Sequence, residues 1–179
     1  DDTVEFLQAL PEPKMIPIIS NFAFSKRIVD VWSKEYSGAR PAAIVLENHK
    51  AGGHNAPPRN KESFTEQDDL EGYFDKVLKL GVPVYVAGAF EHGGTREDFE
   101  YWTDRGAYGL QVGSRFALCT ESGMREDLRA KIIGKGASHE VEVSTSPLMS
   151  PTGYPLKVAQ VVDTISEPEV YAARKRICD

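Results

Sequence analysis

Residues 47–59 read ENHKAGGHNAPPR and follow the apolar run AAIVL directly. Gly52 and Gly53 followed at once by His54 suit one kind of chemistry. Backbone without Cβ atoms can lie against a flat or anionic ligand. An imidazole with a pKa of about 6.5 can take a proton at neutral pH. The same residues also fit a tight turn whose histidine is exposed or bonded to a backbone carbonyl, and spacing alone leaves both readings open. Two more runs end in similar residues: VPVYV runs into Ala87-Gly88-Ala89, and a shorter run exits through Gln111, Gly113 and Ser114. Glycines at consecutive strand exits let backbone N–H groups approach a phosphate. Each of them taken singly is also an ordinary turn glycine. His49, His54 and His92 could be imagined around a metal, but their spacing matches no zinc pattern. His49 and His92 read as solvent-facing, and no metal is expected. Ser150-Pro151-Thr152-Gly153 is either a surface loop or a segment touching the site.

These residues sit in an ordinary globular chain of 179 residues, 41% hydrophobic and 27% charged, with a net charge of −6. An acidic balance argues against nucleic acid as the main partner, because phosphate backbones want a basic surface. A single bound phosphate is not excluded, since a few N–H groups can hold it. The two cysteines, Cys119 and Cys178, make no disulfide framework or CxxC pair. Cys119 reads as a buried structural thiol. A reducing, cytoplasmic setting is the default. No apolar run approaches the roughly 20 residues of a membrane helix, and the acidic start DDTVEFLQAL has no signal-peptide pattern.

Apolar runs alternate with helical patterns along the chain. Strands are expected at 15–20, 42–48, 82–90 and 108–116, and helices at 24–36, 64–81, 95–106 and 122–134. The first helix would bury Ile28, Val29, Trp32 and Tyr36. Thr65 with Asp68, and Thr95 with Asp98, have capping spacing, and Gly81 and Gly106 follow the last turns. Tyr101 and Trp102 read as helix packing. Strands that are apolar throughout suit a parallel sheet covered on both faces. Repeated βα units mean a doubly wound sheet or a (β/α)8 barrel. No Rossmann or Walker glycine pattern is present. The expectation is therefore an α/β fold of (β/α)8 TIM-barrel type. Four βα units are half a barrel, so residues 1–179 are expected to be one domain, the C-terminal half of a barrel from a longer chain. A strand and an extended Pro/Gly-rich loop would follow residue 137.

The stretches PAAIVLENHKAGGH, GVPVYVAGAF, GAYGLQVGSRFALCTES and SPTGYPLKV, in that order, resemble the nitronate monooxygenase (2-nitropropane dioxygenase) family, whose relatives include the FMN-dependent enoyl-ACP reductases. The resemblance runs over about residues 15–160. It implies an FMN-binding TIM barrel and a flavoprotein oxidoreductase. His54 would be the catalytic base that removes the proton beside a nitro group. Ala51, Gly52 and Gly53 would lie against the flavin. Gly88 with Ala89, and Gly113 with Ser114, would form two phosphate loops. Gln111 would lie at the phosphate or ribityl end, Glu47 near the FMN tail, and Ser20 facing the flavin. The chain departs from the family pattern in three places. AGAF replaces the usual AGGI, Ser114 replaces a threonine, and HNAPPR alters the substrate rim after His54.

The leading expectation is nitronate oxidation with O2, on a small-molecule substrate, with a homo-oligomer allowed. Reduction of an enoyl thioester, alone or within a biosynthetic assembly, is the alternative. A non-catalytic flavin- or phosphate-binding barrel module is another. A flavin-free isomerase or aldolase is disfavoured, since Lys50 and Lys61 lie in loops and no lysine ends a strand.

Overall fold

A computed structural model describes residues 14–35, 38–47, 53–54, 70–88, 90, 94–137, 143–146 and 156–175. In chain order the elements are β1 (Ile18–Ile19), α1 (Phe22–Glu35), β2 (Ile44–Glu47), β3 (Gly53–His54), α2 (Leu70–Leu78), β4 (Val84–Ala87), α3 (Arg96–Asp104), β5 (Gly109–Gln111), α4 (Ser114–Ala117), a 3₁₀ turn at Thr120–Ser122, α5 (Glu126–Ala137), β6 (Val143–Ser146), β7 (Leu156–Ala159) and α6 (Pro168–Ala173).

Local chemistry accounts for the helix ends. Asn21 opens α1, its Oδ1 accepting the Phe24 N–H at 2.8 Å. Val29 and Trp32 are buried on one stripe of α1, as expected, and Ile28 packs beside them. Tyr36 and the Thr65 cap lie outside the described residues. At α3 only half of the reciprocal cap forms through hydrogen bonds. The Asp98 carboxylate accepts from the Gly94 N–H at 2.8 Å and the Thr95 N–H at 3.2 Å. The Thr95 hydroxyl is buried with no partner among the described residues. The fourth long helix is shifted from its expected span, running from Glu126 through Gly134 to Ala137.

Strands β1, β2, β4 and β5 form one parallel sheet in that order. Each new strand is added on the same side of the last. A doubly wound sheet would reverse its order partway and put helices on both faces. The unreversed order sends every crossover helix to one face, which is the arrangement of a barrel wall. The core lies in that layer. Ile44, Leu46, Val84 and Val86 meet Val29 of α1, Leu70, Tyr73, Phe74 and Val77 of α2, and Trp102 of α3. Phe74 is fully buried, and its ring meets Trp102 edge-on at 5.1 Å. Arg105 covers this pair, 5.7 Å over Phe74 and 5.3 Å over Trp102, and reaches Glu71 at 3.4 Å. Tyr101, by contrast, is half exposed on the surface. Cys119 is half-buried rather than buried, with Sγ 2.9 Å from the Phe116 carbonyl.

A second sheet was not expected. β3, β7 and β6 pair antiparallel in the order β3-β7-β6. The expectation after residue 137 is one strand followed by an extended loop, yet Leu156–Ala159 is a second strand there and the central one of this sheet. Among the described residues no helix is long and apolar enough to cross a membrane.

Candidate functional site

Parallel pairing puts all four strand C-termini at one edge, and register decides which side chains meet there. Leu46 stands opposite Ile19, so the next residues, Ser20 and Glu47, are neighbours. Glu47 stands opposite Ala87, and Ala87 opposite Gln111. Ser20, Glu47, Ala87 and Gln111 therefore form one row across the sheet. Paired residues of adjacent parallel strands share a face, and that face alternates along each strand. Leu46 and Val86 point into the helix-covered core. The row one residue further on therefore points to the opposite face, the interior side of a barrel wall.

Glu47 is the chemically unusual member of the row. It is only 7% exposed. Burial raises its carboxyl pKa above the ordinary 4.5, and a hydrogen bond from the Ser20 hydroxyl offsets part of that rise. Tyr73 reaches the same strand end from α2, its hydroxyl donating to the Glu47 backbone carbonyl at 3.1 Å. The sequence reading did not single out Tyr73. Its position on the buried stripe of α2 was legible, but not the pairing of its hydroxyl with a strand end.

Beyond the row the chain turns through glycines. Gly88 follows β4 with φ of 79°, a left-handed conformation that an L side chain adopts only under strain. Gly113 lies between β5 and α4; it is exposed, and a Cβ on it would meet nothing within 4 Å among the described residues. Backbone amides with open space before them are what an anionic group requires. Gln111 is exposed at the same edge, and Ser114 begins α4.

Gly53 and His54 form β3 and pair with Lys157 and Leu156 of β7. The glycine-histidine motif is thereby brought to the chain that directly follows Ser150–Pro155. The Ser-Pro-Thr-Gly segment itself lies outside the described residues, as do Ala51, Gly52, Ala89, His49 and His92. The side chains of His54 and Ser114 are likewise outside what the structure describes. The described residues thus assemble Ser20, Glu47, Gly88, Gln111 and Gly113 at one edge of the first sheet, with the His54 backbone held in the second.

The family model described as nitronate monooxygenase matches residues 12–169. Among solved structures, a mutant of FabK from Thermotoga maritima aligns with a TM-score of 0.59 at 18% identity. The alignment covers 88% of this chain and 43% of the FabK chain. At that identity the likeness is one of fold, and it agrees with a partial barrel. None of the curated proteins matches the chain.

Proposed function

Since the chain belongs to the nitronate monooxygenase family, we propose that it forms the phosphate-anchoring and base-bearing part of an FMN-dependent oxidoreductase that oxidises alkyl nitronates with O2. The observation that carries this reading is the edge of the first sheet. Its row of Ser20, Glu47, Ala87 and Gln111 runs on into two glycine exits, Gly88 after β4 and Gly113 after β5, where backbone amides can meet a phosphate. The alignment covers 43% of the FabK chain, and in this reading the activity belongs to a larger set of βα units to which residues 1–179 contribute a part.

In this reading the backbone at Gly88-Ala89 and at Gly113-Ser114 holds the FMN phosphate. Gln111, Glu47 and Ser20 face the polyol chain and the flavin, their hydroxyl, amide and carboxyl groups matching ribityl hydroxyls. Ala51, Gly52 and Gly53 keep the backbone thin beside the ring. His54 accepts the proton from the carbon bearing the nitro group, leaving a nitronate. FMN supplies the redox chemistry and the reaction with O2 when bound. The setting is cytoplasmic and the substrate a small molecule.

The test is a visible spectrum of the purified natural protein, followed by assay. Flavin absorbance, FMN released on denaturation, and turnover of nitroethane under air are expected. Colourless protein that takes up no added FMN would overturn the cofactor. FMN-loaded protein that ignores nitro compounds but reduces an enoyl thioester with a nicotinamide donor would keep the cofactor and replace the substrate.

A further inference from the structure

β3 is two residues long and cannot hold itself in place. Its position is set by β7, and β7 is set from two sides. On one side it pairs with β6 over four residues. On the other, the chain leaves β7 through a closed knot at residues 160–167. The Ser166 side chain is 6% exposed, and its Oγ accepts the Val161 N–H at 2.9 Å. The Thr164 hydroxyl donates to the Val161 carbonyl at 2.7 Å and lies 2.8 Å from Ser166 Oγ. Asp163 sits at φ of 63°, unusual for a residue other than glycine. It is held there by its N–H to Glu167 Oε2 at 3.0 Å and by Lys131 Nζ to its Oδ2 at 3.2 Å. Lys131 also donates to the Val162 carbonyl at 3.1 Å, and Lys135 to the Gln160 carbonyl at 3.2 Å. Two lysines of α5, the buried Ser166 hydroxyl and the half-buried Thr164 hydroxyl thus converge on the exit of one strand. A strained residue persists only where its surroundings over-determine it.

We propose that Ser166 and Thr164, with Lys131 and Lys135 of α5, are positioning residues that fix β7 and through it the place of His54. The proposal rests on the reading of His54 as the base. It divides the work between the two sheets: the parallel sheet anchors the phosphate and polyol chain, which carry most of the affinity, and the antiparallel sheet places the histidine at the ring. Damage to the knot then separates ligand binding from proton removal, which general loss of structure would not do.

The experiment compares the natural protein with Ser166→Ala and Thr164→Ser by amide hydrogen exchange, FMN titration and turnover. In Ser166→Ala, amides of segments containing residues 53–54 and 156–159 exchange at least tenfold faster, while 44–47 and 84–87 are unchanged. FMN affinity stays within twofold. Turnover of nitroethane, which must lose a proton, falls at least tenfold. Turnover of ethyl nitronate, already deprotonated, falls less than threefold. Thr164→Ser keeps the hydroxyl and keeps wild-type exchange. The proposal is overturned if exchange at 53–54 is unchanged in Ser166→Ala, or if 44–47 accelerates equally. A wild type that binds FMN but turns over neither nitro compound defeats the base reading alone, and the exchange data still decide the knot.

Discussion

Gly113→Ala separates what the fold needs from what the ligand needs. Gly113 has no positive φ, so an L residue can adopt its conformation. A Cβ there meets no atom of the described residues within 4 Å. The folded chain therefore loses nothing, and the unfolded chain loses freedom, which stabilises by about 0.4–1 kcal/mol. For a domain of this size that is a rise in Tm of roughly 1–4 °C. Ligand affinity moves the other way. Under the proposed function the phosphate would approach the backbone through this space, and a methyl group would intrude on it. A loss of at least about tenfold in FMN affinity is expected, equivalent to about 1.4 kcal/mol. The assays are thermal melts of the protein stripped of flavin and fluorescence titration with FMN. Two results refute the reasoning. Unchanged FMN affinity removes Gly113 from the site, and a Tm several degrees lower shows that the space is not open.

Three other outcomes follow from the same geometry. His54→Ala keeps the flavin spectrum and lowers nitroethane turnover by a factor of at least about 10², measured by oxygen uptake; equal turnover removes His54 from the chemistry. Glu47→Gln changes the pH dependence of stability. Because the folded-state pKa of Glu47 lies above its ordinary 4.5, its burial costs nothing at pH below that value. The cost appears as pH rises through the window from the unfolded to the folded pKa, and is full above it. Melts should show the variant gaining on the wild type from pH 4 to pH 7, and a pH-independent difference would contradict the assignment. Phe74→Ala empties a fully buried site and should cost about 3–5 kcal/mol, or roughly 10 °C in Tm, read by calorimetry; a shift below 3 °C would mean the α2–α3 layer is not the core.

Much of the first sheet was legible because its signals are local. VPVYV and AAIVL are apolar on both faces, which requires cover on both, and the paired strands are parallel. Asp98 was placed by its spacing from Thr95, although the unpartnered Thr95 hydroxyl was not. The strand at Leu156–Ala159 was hidden, because four residues after a proline carry little pattern, and pairing with a partner about a hundred residues away leaves no local trace. Tyr73 was visible as core and invisible as the donor to Glu47, since a hydrogen bond between a helix and a strand end depends on how the two pack.

The sequence by itself determined the alternation of strand and helix, the place of Asp98 at the start of α3, and the occurrence of glycines and of the glycine-histidine pair after apolar runs, because each depends on residues within a few positions of one another. Only the tertiary structure decided between a barrel wall and a doubly wound sheet, since that depends on the order in which strands join. It also decided the row of Ser20, Glu47, Ala87 and Gln111, because register between parallel strands is set by the packing of the helices that separate them in the chain. The tie between β3 and β7 likewise needed the folded chain, as it joins two segments that no local spacing relates.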